Sequence, residues 1–207
     1  MPRCSVVMKM ALLWSVTALA VAQSRQVSTS KVSASAAGDH AAFLVRMGRS
    51  QAELVEQGTT GGLCAMVWPD GRLHAERRTQ TLPSARATLQ VYDAVLNADE
   101  LASLAQILDS EKLMQLPRFE APHLPLQVAA SYAFTADIRR AEGLQHAGFL
   151  QFGRNGGNGA NPLVVDDARA SDAEARTVLL PLLAWMEAAV DQAGVNPEGE
   201  VNFCELP

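Results

Sequence analysis

The sequence predicts an α+β fold, an antiparallel sheet of about five strands with two helices packed on one face. Three observations carry that expectation. Two extended runs flank the turn tripeptide Pro69-Asp70-Gly71. Along Arg72 to Gln80, Leu73 and Ala75 fall on one side while Arg72, His74, Glu76 and Arg78 fall on the other, the alternation of a sheet with one wet face. Two later segments combine helical spacing of apolar residues with capping-box signals, at Asn97 and at Ser171.

Residues 1–22 read as a leader. Arg3 and Lys9 give a positive start, and Met10 to Ala22 is an uncharged, mostly apolar run of 13 residues. That is well short of the roughly 20 needed to span a bilayer as a helix. Ala20-Val21-Ala22 supplies the small residues a signal peptidase reads, so cleavage before Gln23 and a secreted or periplasmic location are expected. The full chain has 207 residues and a formal charge of −5; the leader takes two basic residues with it, leaving 15 Lys and Arg against 22 Asp and Glu. An acidic chain with scattered basic residues lacks the footprint of a nucleic-acid binder. No later stretch is apolar enough for stable membrane insertion after cleavage.

Cys4 leaves with the leader, and it precedes the apolar run where a lipoprotein cysteine would follow one. Cys64 and Cys204 remain, and in an oxidising compartment they are expected to form a disulfide rather than two buried thiols. The bridge would stabilise the fold by about 4–5 kcal/mol in the chain-entropy model.

Residues 23–38, rich in Ser, Ala and Thr, form a flexible lead-in to a single domain at 39–207. Ser28-Thr29-Ser30-Lys31 matches S-x-x-K, but the partner motifs S-D-N and K-T-G are absent. Asp39 to Gln57 fits either type of element: Phe43, Val45 and Met47 alternate as in a strand, whereas Leu44, Met47 and Leu54 could line a helix. Strands are expected at Leu63–Trp68, Arg72–Gln80 and Ala87–Leu96, the last with Leu89, Val91 and Val95 on its apolar side. Asn97 with Glu100 then caps a helix bearing Leu101, Leu104, Ala105 and Leu108, closed by Leu116-Pro117. Tyr132–Arg139 and Gln145–Phe152 form a second hairpin, and Gly153–Asn161 a loop. Ser171 with Glu174 opens a helix striped by Val178, Leu179, Leu182, Met186 and Val190, with Gly194 as its stop. Pro181 inside it implies a kink or a later start. Val201 to Cys204 is expected to dock as an edge strand.

The motifs that could carry chemistry are incomplete. His74-Ala75-Glu76 is half of a zinc-deaminase signature whose P-C-x-x-C half is missing. His40, His74, His123 and His146 lack ligand spacing for zinc. Gly153 to Gly159 lacks the Lys-Ser/Thr and the following helix of a phosphate loop. No G-x-S-x-G elbow occurs. Asp166-Asp167 and Glu76-Arg77-Arg78 read as solvated charges. No catalytic residue, metal ligand or cofactor is therefore assigned. Arg118 to Ala130 is long for a connection, which makes Phe119, His123, Leu124 and Leu126 a candidate binding loop, unless its apolar residues simply cover the sheet.

The motif Trp68-Pro69-Asp70-Gly71-Arg72 with Glu76-Arg77-Arg78, inside the order of elements over 60–190, resembles a group of uncharacterised secreted bacterial proteins. That order is also similar to emfourin-type inhibitors of thermolysin-like metalloproteases. The present chain is longer, with Pro-rich and Gly-Asn-rich loops inserted, and no inhibitory residue is carried over. The functional expectation is an exported binding or accessory domain whose partner is another exported protein. The alternatives are a small secreted peptidase inhibitor and a hydrolase with a dispersed site. Mass spectrometry of the exported protein should place its N-terminus at or within a few residues of Gln23; a retained Met1 in a membrane fraction would overturn the assigned leader.

Overall fold

Among the described residues seven strands form one antiparallel sheet, and the strand at its centre is the first of them in sequence. The computed structural model describes residues 43–53, 59–81, 86–122, 130–154, 164–201 and 204, all in the unit Ala34–Pro207. The expected leader, the lead-in with its S-x-x-K match, His40, and His123, Leu124 and Leu126 lie outside the described residues. The elements are β1 (Val45–Glu53), β2 (Thr59–Val67), β3 (Arg72–Thr81), β4 (Ala87–Val95), α1 (Ala98–Leu108), α2 (Glu111–Met114), β5 (Ala130–Arg140), β6 (Gly143–Arg154), β7 (Val164–Asp167) and α3 (Ala170–Ala193). The sheet order is β4-β3-β2-β1-β5-β6-β7.

Five strands and two helices were too few. The ambiguous segment after Asp39 provides β1, which pairs with β2 on one side and β5 on the other. Burial on the helix-bearing face explains its alternation: Val45 and Met47 are fully buried. The other added strand, β7, covers part of the β6 edge. The third helix, α2, is a single turn that follows α1 after Asp109 and Ser110. Conversely, Val201 and Cys204 carry no strand assignment.

Leu63, Ala65 and Val67 of β2, Leu73 and Ala75 of β3, and Phe134, Ala136 and Ile138 of β5 share one core with Leu104, Leu108, Leu113, Leu179, Leu182 and Met186 of the helices. The helices therefore cover a single face. Leu89, Val91 and Val95 share one side of β4 as expected, but that side faces away from the helices, and of the three Val91 is buried there. Tyr92 enters this core, whereas Leu89 and Val95 are 41% and 77% exposed. A strand whose two sides both carry apolar residues leaves its facing open until its neighbours are known.

The hairpin between β2 and β3 follows its sequence signal. Gly71 donates its N–H to the Trp68 carbonyl at 3.0 Å, and its φ of 88° is a value that glycine adopts without strain. At α1 the Asn97 side chain accepts from the N–H groups of Asp99 and Glu100, while Glu100 accepts from the Asn97 N–H. This is the capping box. Ala105 is exposed, so the buried stripe of α1 narrows to Leu104 and Leu108, flanked by Leu101 and Ile107.

Ser171 does not cap α3, which starts one residue earlier with Arg169 at the cap and no side-chain capping bond. The neighbouring Asp172 is buried and accepts from the Leu150 N–H at 3.2 Å and the Arg169 Nε at 2.8 Å. α3 then runs through Pro181 without interruption to Gly194. Leu104 is fully buried between α1 and the sheet. Leu104→Ala should lower unfolding free energy by about 2–5 kcal/mol in denaturant titrations; an exposed-site value below about 0.5 kcal/mol would show the packing is misplaced.

Candidate functional site

Side chains alternate across a strand, so the register that builds the core also builds a second surface on the other face. One lateral row of that surface reads Asp93, His74, Met66, Arg46, Asp137 and His146 from β4 to β6. Five of its six members are ionisable. They form two clusters separated by Met66.

In the first cluster His74 is 3% exposed, with Nδ1 2.7 Å from Asp93 Oδ1 and Nε2 3.2 Å from Glu76 Oε1. Burial opposes the imidazolium and is the largest single influence, but the two carboxylates together outweigh it and raise the His74 pKa. In the second cluster the Arg46 Nε donates to Asp137 Oδ2 at 3.0 Å, with Nη2 bonded to the same oxygen. Asp137 Oδ1 lies 2.6 Å from His146 Nδ1. The Asp137 side chain is 9% exposed, so both of its oxygens are engaged inside the surface.

Sequence alternation marked this face as wet, yet much of it is covered. After Gly194 the chain turns around the β4 edge. The Asn196 N–H donates to the Val91 carbonyl at 2.7 Å, and its side chain donates to Asp93. Gly199 sits against Val91, where a Cβ would approach Cγ1 to 2.5 Å. Cys204 then reaches Cys64 at disulfide distance, with Cα atoms 5.8 Å apart. Phe43, Met66 and Trp68 complete an apolar cluster around the two cysteines. This tail brings together the cysteines expected to pair, and Glu76, expected to be a solvated charge, is buried on the same face.

At the opposite side Phe119 does not project as a free loop. Its N–H donates to the His146 carbonyl at 2.9 Å and its ring centroid lies 5.9 Å from that of His146. The ring occupies the space over Gly148, where any Cβ would meet it at 2.9 Å. Arg169 lies over its other side, 5.8 Å from the centroid. Two further charges thought solvated are structural. Arg77 bonds Asp191 of α3 at 2.8 Å, and Asp167 accepts from Arg176 and Gln151. None of these pairs had a sequence signal, because each joins two different elements whose packing sets the contact.

The clusters do not converge. His74 on β3 and Asp137 on β5 are three strand spacings apart, about 14 Å. Among the described residues no group of three or more His, Cys, Asp or Glu could hold a metal ion, and no helix is long and apolar enough to cross a membrane.

A different feature remains open. The first four residues of β4, Ala87 to Gln90, are exposed while still paired to β3 as far as Gln80↔Ala87. The Val91 carbonyl points away from β3, toward Asn196. By the two-residue period, Ala87 and Leu89 present their N–H and C=O groups on the same outer edge. No described residue pairs with them there. Comparison with protein-family models, curated proteins and solved structures finds no match to this chain.

The raised His74 pKa fixes a pH dependence. Stability from this cluster is complete below the ordinary histidine value of about 6.5 and is lost as pH rises through the folded-state value. An NMR titration should place the His74 midpoint above that ordinary value. Denaturant midpoints should fall across the same window, with a flatter profile in His74→Gln.

Proposed function

We propose that this chain is an exported, non-catalytic binding domain that engages another exported protein by adding a strand to the outer edge of β4. The open main-chain edge at Ala87 to Gln90 carries the reading. Such an edge accepts an extended segment through backbone hydrogen bonds, with side-chain fit supplying specificity. Export rests on the leader at 1–22 and is supported by the cysteine pair, which in an oxidising compartment forms a disulfide. The engaged, separated clusters around His74 and Asp137 favour binding over catalysis, since their carboxylates are held by neighbours in the fold.

The same edge gives substance to the second reading, a secreted peptidase inhibitor. Peptidase clefts bind polypeptide as an extended strand, which is the conformation β4 presents.

Leu89→Pro tests both. It removes an N–H that faces away from β3, a change edge strands tolerate. A photo-crosslinker at position 89 should form an adduct in the exported fraction, while one at the exposed helix position 180 should not. Leu89→Pro should abolish retention of the adduct's partner without loss of folding. Equal labelling at both positions, or unchanged retention by Leu89→Pro, would discard strand addition. A panel of metallo- and serine proteases left fully active by the wild-type chain would discard inhibition.

A further inference from the structure

The open stretch of the β4 edge also fits a copy of itself. β4 ends the sheet order, so its outer side meets no other strand among the described residues. Ala87, Thr88, Leu89 and Gln90 are all exposed, Leu89 at 41%. None of the four is ionisable. Two copies laid edge to edge therefore bring no like charges into opposition along the paired stretch.

The hydrogen-bond pattern selects the register. The Val91 carbonyl points outward, so the two-residue period turns the main-chain groups of Ala87 and Leu89 outward and those of Thr88 and Gln90 toward β3. A two-fold axis perpendicular to the sheet sets two such edges antiparallel, outward residues facing outward residues. Facing Leu89 with Leu89 would call on the Val91 carbonyl, which Asn196 already holds at 2.7 Å. Facing Ala87 with Ala87 would leave both Leu89 main chains unpaired. Facing Ala87 with Leu89 of the second copy uses every open group, each pair exchanging both its N–H and its C=O. β4 begins at Ala87, so the paired strand of the second copy stops short of Asn196.

We propose that the chain forms a reversible two-fold dimer through this edge, Ala87 of each copy pairing with Leu89 of the other and Thr88 facing Thr88 on the axis. The inference rests on β4 being a docking edge and names a second copy of the chain as its occupant. The facing threonines form a non-hydrogen-bonded pair, with Cα atoms about 4.5 Å apart. Their side chains lie on the side of β4 from which Tyr92 enters the core. On the other side the two Leu89 side chains are diagonal neighbours within reach of each other, so each covers apolar surface that a single copy exposes. Four residues a side bury less than the roughly 1,000 Å² of a stable interface, so the dimer is weak. A strand from another exported protein displaces the second copy by taking the same main-chain groups.

Sedimentation equilibrium of the exported chain from about 10 µM to about 1 mM should show monomer and dimer exchanging, the span of a weak complex. Leu89→Pro removes one outward N–H from each copy and should raise the dimer Kd about 10-fold or more. Single cysteines read the register. Thr88→Cys should give an intermolecular disulfide on oxidation, because the facing Cα atoms lie within bridging distance. Gln90→Cys should stay monomeric, because its two copies lie four residues apart along the paired strands. Peptide maps should show Cys64 and Cys204 still linked to each other in both variants. A wild-type chain that is monomeric up to about 1 mM, ten times a Kd of about 0.1 mM, overturns the dimer, as does equal cross-linking at 88 and 90. In that event a photo-adduct from position 89 with a different exported protein still supports the docking edge. A dimer in the expected register with no such foreign adduct instead supports self-pairing and removes the foreign partner.

Discussion

Everything in this fold is registered against β1. The chain makes two runs of neighbouring strands, β1 to β4 and β5 to β7, and β1 joins them by pairing with β2 on one side and β5 on the other. Its side chains point alternately to two surfaces of different character. Val45 and Met47 enter the core, while Arg46 joins Asp137 on the other face. A one-residue slip would push the Arg46 guanidinium into the core and expose two fully buried apolar residues. The pattern therefore specifies one register strongly. It also imposes the long return from the β4 edge to the centre of the sheet, which the chain makes with α1 and α2 across the apolar face.

The second surface shows how a sheet can bury ionisable groups without a hydrophobic lid over all of them. Desolvating an ion costs several kcal/mol, and the two buried members of the row, His74 and Asp137, are each met at contact distance. His74 has Glu76 and Asp93; Asp137 has Arg46 and His146. Removing His74 or Asp137 would leave its neighbours without the group they meet on this face. The tail belongs to the same arrangement. Asn196 bonds Asp93, Gly199 passes close over Val91, and the cysteine pair pins the end, so the tail also holds one of the two carboxylates bonded to His74. The pair thus closes an apolar cluster as well as a loop.

Local signals were legible in the sequence and pairings between distant segments were not. The Asn97 capping box and the Gly71 turn are short-range features, complete within a few residues, and both appear as expected. The cysteine pairing was legible for another reason: once Cys4 leaves with the expected leader, only Cys64 and Cys204 remain. Ser171 looked equally good as a cap, but Asp172 is committed to Leu150 and Arg169, and α3 begins before Ser171. β7 has only four residues, two valines and two aspartates, too few for a period. The facing of β4 could not be read because its covering on the second face comes from a tail more than a hundred residues later. The row from Asp93 to His146 was hidden for the same reason: its members are isolated in sequence and become neighbours only through register. Phe119 was noticed for its loop, but what positions it is Gly148, a residue that signals nothing alone.

The two ends of β4 clarify what its edge is for. Folded proteins blunt sheet edges with charge, proline, bulges or a covering segment, because an open edge templates unwanted pairing. The half of β4 near Val91 is treated in that way, its carbonyl taken by Asn196 and its side chain covered by Gly199. Ala87, Thr88, Leu89 and Gln90 have neither charge nor proline, and they remain regularly paired to β3. Such a segment keeps the extended geometry that an incoming strand needs, with the ordering cost already met by folding. The hydrogen bond from Asn196 to the Val91 carbonyl marks where the open stretch of this edge ends. One half of the β4 edge is covered by the tail and no described residue pairs with the other, and that asymmetry is what supports the proposed strand addition.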